Sequence, residues 1–143
     1  IYEVGHVIGN HTYSHHCWFD MKLPGDLLAD MQQMDALTVD ATGLHPRLFR
    51  PPYGVTNPSL AKAVKAGHYL PVGWNIRSLD TVAKDEAQLL DRIVQQLQPG
   101  AVILLHDTCR ITAGILPQLI GAIRGQGYRL ERIDKMLNVR AYV

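Results

Sequence analysis

No stretch of the chain is rich in lysine or arginine, no apolar run approaches a membrane span, and only two cysteines occur among 143 residues. Each shortage excludes something. Binding to a phosphate backbone needs a basic stripe, and a net charge of +1 spread along the sequence does not supply one, so nucleic acid is excluded as a partner. A spanning helix needs ~20 apolar residues. The longest apolar run, "AVILL" at 101–105, has the length of a buried strand. Cys17 and Cys109 are too few for a disulfide framework and do not report a redox compartment. Internal repeats, low-complexity tracts, linkers and a visible signal peptide are all lacking. What remains is an ordinary globular composition, 47% hydrophobic and 19% charged, in a chain long enough for one domain with its own core.

The order of elements is readable from punctuation. Residues 4–9 suggest a turn and short strand. Residues 24–42 predict a helix, with Pro24 in its first turn, Gly43 after its end, and Leu27, Leu28, Met31, Met34, Leu37 and Val39 as an apolar stripe. "RLFRPPYG" reads as a short strand stopped by Pro51 and Pro52. A second helix begins with Asn57 as cap and Pro58 at its first position and ends at Gly67. "HYLPVGWNI" (68–76) is strand-like with Pro71 as a flaw, 85–98 is a third helix, "AVILLH" a strand, 115–124 a fourth helix with Pro117 in its first turn, and "YRLERI" (128–133) a last strand or edge. Strands alternating with helices on short links predict a parallel sheet with right-handed crossovers.

Ionisable groups fall at the ends of the proposed strands. His11 and His15 follow the first, Arg50 and Tyr53 the second, Arg77 and Asp80 the third, His106 and Asp107 the fourth. Catalytic groups gather at the carboxyl ends of parallel strands. His11 and His15, four apart, would share one face of a helical turn and could both reach a metal at ~2.0–2.1 Å; a His-rich surface turn is the plainer alternative. His106 ends an apolar strand and is either a core histidine or a general acid–base. An acid–base histidine wants a carboxylate on its ring, and Asp80 is favoured over Asp107, which would face away along a strand. The prolines after Arg50 stiffen a loop that could present an oxyanion donor near Tyr53, or simply form a rigid link. Cys17 and Cys109, added to the histidine pair, would make a structural zinc site; pocket-wall roles are the simpler reading.

In this order "HTYSH" (11–15), "RPPYG" (50–54), "WNIRSLD" (74–80) and "LLHD" (104–107) resemble the motifs of the polysaccharide deacetylases of the NodB-homology type, carbohydrate esterase family 4. The resemblance runs along essentially the entire chain. It implies an α/β fold, the distorted incomplete (β/α) barrel of that family, and a metal-dependent hydrolase removing acetyl groups from N-acetyl amino sugars of peptidoglycan or chitin type, or from acetylated xylan. It implies His11 and His15 as metal ligands with Zn2+ the expected divalent metal, and His106 as general acid tuned by Asp80. Arg50 would hold the catalytic base, the Tyr53 backbone N–H would serve the oxyanion, Leu105 would meet the acetyl methyl, and Trp74 would meet substrate. It also implies an acetylated glycan as partner and an extracytoplasmic location.

Two departures stand out. Where the family's fourth motif reads Asp-x-x-Asp-Trp, this chain has Arg77 and Thr81 in place of the first Asp and the Trp. That removes the family's partner for Arg50, adds a positive charge, and predicts a different subset of substrates. The family's Thr-Phe-Asp-Asp-Gly motif, which carries the base and the third metal ligand, is not found upstream of His11. The expectation is therefore a C-terminal part of a larger domain, residues 1–143 of a catalytic domain lacking its first strands. Such a part would be inactive alone, with a two-histidine metal site and exposed edges prone to self-association. The competing readings are a cyclic-amide hydrolase on the same fold and a non-catalytic carbohydrate- or metal-binding remnant.

Overall fold

The computed structural model describes residues 1–143, which divide into two compact units, one of residues 1–73 with 132–143 and one of residues 74–131. In the first unit α1 spans Pro24–Thr42 and α2 spans Pro58–Ala66, as their punctuation predicts. Pro24 starts α1, whose missing N–H loses nothing in the first turn. Gly43 ends it at φ 73°, a left-handed conformation that favours glycine. Asn57 caps α2 by accepting the Leu60 N–H at 2.8 Å. Gly67 follows α2 because a Cβ there would stand 2.2 Å from Tyr69 Cε2.

The inner face of α1 differs from the expected stripe. Leu27 and Met31 are fully buried, but Leu37 is half exposed and Val39 lies at the margin. The buried row continues instead through Asp35 and Thr38, which keep the spacing of four and three that Leu27 and Met31 begin. Helix geometry, rather than apolarity, sets the buried face, and two polar side chains occupy it.

β1 (Leu48–Phe49) and β2 (Leu70–Pro71) pair in parallel, Leu48 with Leu70 and Phe49 with Pro71. A parallel bridge sets Asn10 beside Phe49. The core of this unit joins Phe19, Leu27, Met31, Phe49, Leu60, Ala63 and Tyr69. The short α5 (Ile133–Met136) also belongs here.

In the second unit β3 (Ile76–Arg77) and β4 (Ile103–Leu104) pair in parallel, Ile76 with Ile103 and Arg77 with Leu104. The expected strand over 68–76 is thus two strands with different partners, β2 ending at Pro71 and β3 beginning at Ile76, while the Val72 N–H still donates to the Phe49 carbonyl at 2.8 Å. The parallel direction is as expected, but the strands form two separate pairs rather than one sheet or a closed barrel.

α3 covers Glu86–Val94, capped by Asp85, which accepts the Gln88 N–H at 2.8 Å. It ends four residues before the predicted boundary, in turns at Gln96 and Leu97. α4 runs Arg110–Gly125, five residues longer at its start than predicted, so Pro117 lies inside it. An interior proline costs roughly 3 kcal/mol. Against that cost, Ile115, Leu119 and Ile123 of α4 bury at helical spacing with Leu89 and Ile93 of α3 and Ile76. The predicted strand at 128–133 does not form. Arg132 instead caps α5, and the Met136 and Leu137 N–H groups donate to the Arg132 and Ile133 carbonyls at 2.9 and 3.0 Å.

The two leucine environments give a direct test of this packing. Leu27→Ala, at a position 0% exposed, is expected to lower stability by about 2–5 kcal/mol in a urea titration. Leu130→Ala, at a position 53% exposed, is expected to change it by less than about 0.5 kcal/mol.

Candidate active-site residues

In the first unit the Asn10–Phe49 bridge places His11 and Arg50 at the same ends of neighbouring chains. The Asn10 N–H donates to the Leu48 carbonyl at 2.8 Å and the Arg50 N–H to the Asn10 carbonyl at 2.9 Å. Asn10 is buried and its amide is fully used. Nδ2 donates to the Met31 carbonyl at 2.8 Å and to Asp35 Oδ1 at 2.6 Å, and Oδ1 accepts the Thr12 N–H at 2.8 Å. Asp35 also accepts the Tyr69 hydroxyl at 2.5 Å. Burial, together with that carboxylate, pushes the Tyr69 hydroxyl above its ordinary pKa.

The segment between His11 and His15 is not the helical turn their spacing suggests. Thr12 and His15 have φ of 68° and 43°, and the only hydrogen bond joining them is from the His15 N–H to Thr12 Oγ1 at 3.1 Å. The two rings nonetheless meet, with centroids 4.9 Å apart. The Tyr53 ring joins them, 5.1 Å from that of His15. Tyr53 itself stands at φ 57° in the turn Pro52–Gly54, after the buried Pro51 and Pro52.

His11 Nδ1 lies 2.6 Å from the Arg50 carbonyl oxygen. A carbonyl only accepts, so Nδ1 carries a proton, and in the neutral ring Nε2 then carries the lone pair. That is the arrangement by which a backbone carbonyl orients a metal-ligating imidazole. The donor set therefore fits a divalent metal. His11 and His15 would supply two ligands from this segment, and no group of three or more His, Cys, Asp or Glu side chains assembles around them. The four-ligand site with Cys17 and Cys109 does not form, and both thiols are free. The Arg50 guanidinium donates from Nε to the Val72 carbonyl and from Nη2 to the Gly73 carbonyl, each at 3.3 Å.

A second carboxylate of α1, Asp30, holds the middle of the histidine segment. Its Oδ1 accepts the N–H groups of Tyr13 and Ser14 at 2.8 and 2.9 Å, and its Oδ2 accepts the Ser14 hydroxyl at 2.5 Å and Lys22 Nζ at 3.3 Å. Burial alone would raise its pKa, but these hydrogen bonds outweigh burial and hold it below the usual carboxylate value.

In the second unit the pairing of Arg77 with Leu104 sets Asp80 and His106 just beyond the carboxyl ends of β3 and β4. His106 Nδ1 lies 2.8 Å from Asp80 Oδ1, and the His106 N–H donates to Asp80 Oδ2 at 2.6 Å. The choice of Asp80 over Asp107 as its ring partner agrees with this geometry. Thr112 Oγ1 also donates to Asp80 Oδ2, at 2.7 Å. Ser78 Oγ accepts the Asp80 N–H at 3.3 Å and donates to the Leu104 carbonyl at 2.6 Å. Asp80 is 2% exposed, and burial acts to raise its pKa. The donors from Thr112, His106 and Ser78 overcome that and hold it at about 2.

Leu105 is partly buried on the Ile76–Leu89 core, and Trp74 is partly buried at the start of this unit. Arg77 is exposed and forms no salt bridge. Asp30, Asp35, Ser78 and Thr112 were not singled out from sequence. Aspartates on an amphipathic helix and a threonine in a helix's first turn are ordinary, and only the tertiary pairing gives them roles.

Comparison with known proteins follows the same lines. Residues 1–72 match the family model described as polysaccharide deacetylase. The peptidoglycan-N-acetylmuramic acid deacetylase PdaA of Bacillus subtilis is 30% identical over 139 residues, 94% of this chain and 52% of that protein. The peptidoglycan-N-acetylmuramic acid deacetylase PdaC of the same organism is 27% identical over 136 residues, covering 95% of this chain and 28% of PdaC. This chain thus spans about half the length of the first relative and little over a quarter of the second. Among solved structures, the family 4 carbohydrate esterase of Streptomyces lividans in complex with acetate superposes with a TM-score of 0.86 at 26% identity, covering 98% of this chain and 71% of that one. A family 4 pseudoenzyme from Bacillus anthracis superposes with a TM-score of 0.83 at 25% identity, over 90% of this chain and 45% of its own.

The Asp80 cluster makes a pH-dependent prediction. A carboxyl depressed from 3.8 to about 2 stabilises the folded chain fully above pH ~4, and that stabilisation disappears as pH falls through about 2. The amount is about 2 kcal/mol. Urea titrations at pH 5 and pH 2 are expected to show this loss in the native sequence and to show correspondingly less loss in Asp80→Asn.

Proposed function

Because the chain belongs to the polysaccharide deacetylase family, we propose that it contributes the metal-binding histidines and the general acid of a hydrolase that removes acetyl groups from the amino sugars of a peptidoglycan-type glycan. The observation that carries this reading is the His106 ring anchored through Nδ1 on the buried Asp80 carboxylate, just past β4. The family match and the deacetylases named among its relatives support it. Residues 1–143 are read as part of one catalytic domain.

His11 and His15 would hold the divalent metal through imidazole nitrogens, a ligand type that suits Zn2+. When bound, the metal supplies Lewis acidity toward the acetyl carbonyl and acidifies a water molecule. The Arg50 carbonyl fixes the tautomer and orientation of His11. The Tyr53 backbone N–H assists the oxyanion, Leu105 meets the acetyl methyl and Trp74 the sugar. Arg50, its guanidinium set by the Val72 and Gly73 carbonyls, orients the catalytic base, which lies outside this set of residues. With Nδ1 held by Asp80, His106 presents Nε2 to the departing nitrogen and delivers a proton as the carbon–nitrogen bond breaks. An envelope or secreted location follows from a wall glycan as substrate. No helix is long and apolar enough to cross a membrane.

Arg77 refines the substrate. It is an exposed cation on the strand that leads to Asp80, three residues away. Muramic acid differs from glucosamine by a lactyl carboxylate, and Arg77 supplies the charge such a group needs. The resemblance to PdaA, a muramic acid deacetylase, supports this assignment.

The likeness to a family 4 pseudoenzyme favours a second reading, a glycan-binding module without turnover. Kinetics separate the two. In a complete catalytic domain that includes the base, His106→Ala is expected to lower kcat by ~10²–10⁴-fold while zinc binding persists; unchanged turnover would remove His106 as the acid, and absence of turnover in that complete native domain would favour the binding module. Arg77→Ala is expected to raise KM about 10-fold for a muramic-acid glycan, the scale of one charged hydrogen bond. It is expected to leave KM for N-acetylglucosamine oligomers within about 2-fold.

A further inference from the structure

We propose that Asp30 of α1 is a positioning residue for the His11–His15 pair, its carboxylate holding the intervening segment in the conformation that brings the two imidazoles together. This inference rests on the reading of His11 and His15 as metal ligands.

The segment does not hold itself. Two of its non-glycine residues, Thr12 and His15, stand in the left-handed region. Each such residue costs about 1–3 kcal/mol and persists only where the surroundings over-determine it. The single bond from the His15 N–H to Thr12 Oγ1, at 3.1 Å, does not over-determine a loop with exposed side chains at positions 11 and 13–18. At the entry to the segment, Asn10 is fixed by Asp35 and the Met31 carbonyl. Nothing in that arrangement reaches past the Thr12 N–H.

Asp30 covers the remainder. Two consecutive amides, those of Tyr13 and Ser14, converge on one carboxylate oxygen, and the Ser14 hydroxyl takes the other. Successive N–H groups converging on one anion define a local backbone shape, because both must point to the same place. Hydrogen bonds to an ionised acceptor are also about twice as strong as neutral ones. Asp30 is buried on a helix that is itself fixed by the core through Leu27 and Met31, so the anchor is rigid. Lys22 balances its charge at 3.3 Å. The carboxylate touches neither imidazole in these bonds. It acts through residues 13 and 14, one position before His15.

The test measures metal binding rather than turnover. Zinc affinity is read by competition with a chromophoric chelator, and ligand geometry by the visible spectrum of the cobalt-substituted protein. His11→Ala, Asp30→Ala, Asp30→Asn and Ser14→Ala are compared with the native protein, with the folded fraction of each measured under the same conditions. Asp30→Ala is expected to weaken zinc binding by ~10–100-fold, the range for lost outer-shell support, and to alter the cobalt spectrum. Asp30→Asn keeps an oxygen for both amides and is expected to recover most of the affinity. Ser14→Ala keeps the amides and loses one hydroxyl, and is expected to weaken binding several-fold; it carries the test if Asp30→Ala does not fold.

A folded Asp30→Ala protein with native affinity and spectrum overturns the inference, as does native affinity in Ser14→Ala when Asp30→Ala does not fold. If His11→Ala leaves zinc affinity unchanged, the metal-ligand reading itself fails. If His11→Ala abolishes binding and Asp30→Ala does not affect it, only the positioning role fails.

Discussion

Left-handed backbone at residues other than glycine is the constraint on which the reactive segments depend. Thr12, His15, Tyr53 and Leu79 all adopt it, and each lies in or next to a segment that carries a candidate catalytic side chain. A chain does not hold such conformations by local preference. Each needs an anchor from elsewhere in its unit, and the anchors are of two kinds. Around Tyr53 they are steric, since Pro51 and Pro52 are buried and fix φ on the approach. Around His15 and Leu79 they are electrostatic, a buried aspartate gathering N–H and O–H donors. Asp30 does this for residues 13 and 14, and Asp80 for the His106 N–H, the His106 ring and the Thr112 hydroxyl.

This use of buried carboxylates explains the composition of α1. A helix on a small core would gain most by burying leucine, yet α1 buries Asp30, Asp35 and Thr38 beside Leu27 and Met31. A buried carboxylate is costly unless its lone pairs are filled. Here no buried side-chain polar atom lacks a partner, so the cost of desolvation is met by hydrogen bonds that also order the loop. The apolar burial that α1 gives up is replaced by Phe19, Leu60, Ala63 and Tyr69 from neighbouring segments. Tyr69 serves twice, packing its ring against Phe49 and donating its hydroxyl to Asp35.

Much of this was legible in the sequence wherever one residue type acts through local chemistry. Pro24 and Gly43 mark α1, Asn57 and Pro58 mark the start of α2, and Asp85 marks α3. The parallel pairing and the placing of His106 opposite Asp80 also followed from strand ends. What was not legible depends on partners far along the chain. The boundary of α4 moved because distant α3 contacts outweigh the local signal of Pro117. "YRLERI" has strand-like alternation but no neighbour to pair with, and its end turns into α5. The histidine rings do meet, but where a spacing of four suggests a helical turn the structure uses a strained loop held by Asp30. Nothing in the sequence marks Asp30 apart from Asp26 four residues earlier, which is exposed.

The substitution at position 77 illustrates how such a framework absorbs change. The resemblance assigns an Asp there as partner to Arg50, and this chain has Arg77 instead. Removing one partner of a buried ion pair normally leaves a costly charge. The Arg50 guanidinium, however, lies against the backbone carbonyls of Val72 and Gly73, which follow β2 directly. Backbone acceptors do not vary with sequence, so Arg50 keeps its position whatever side chain stands at 77. That frees position 77 to change sign. A cation there cannot hold Arg50, and the change of sign requires no rearrangement of β3, whose pairing of Ile76 with Ile103 and Arg77 with Leu104 is made by backbone alone.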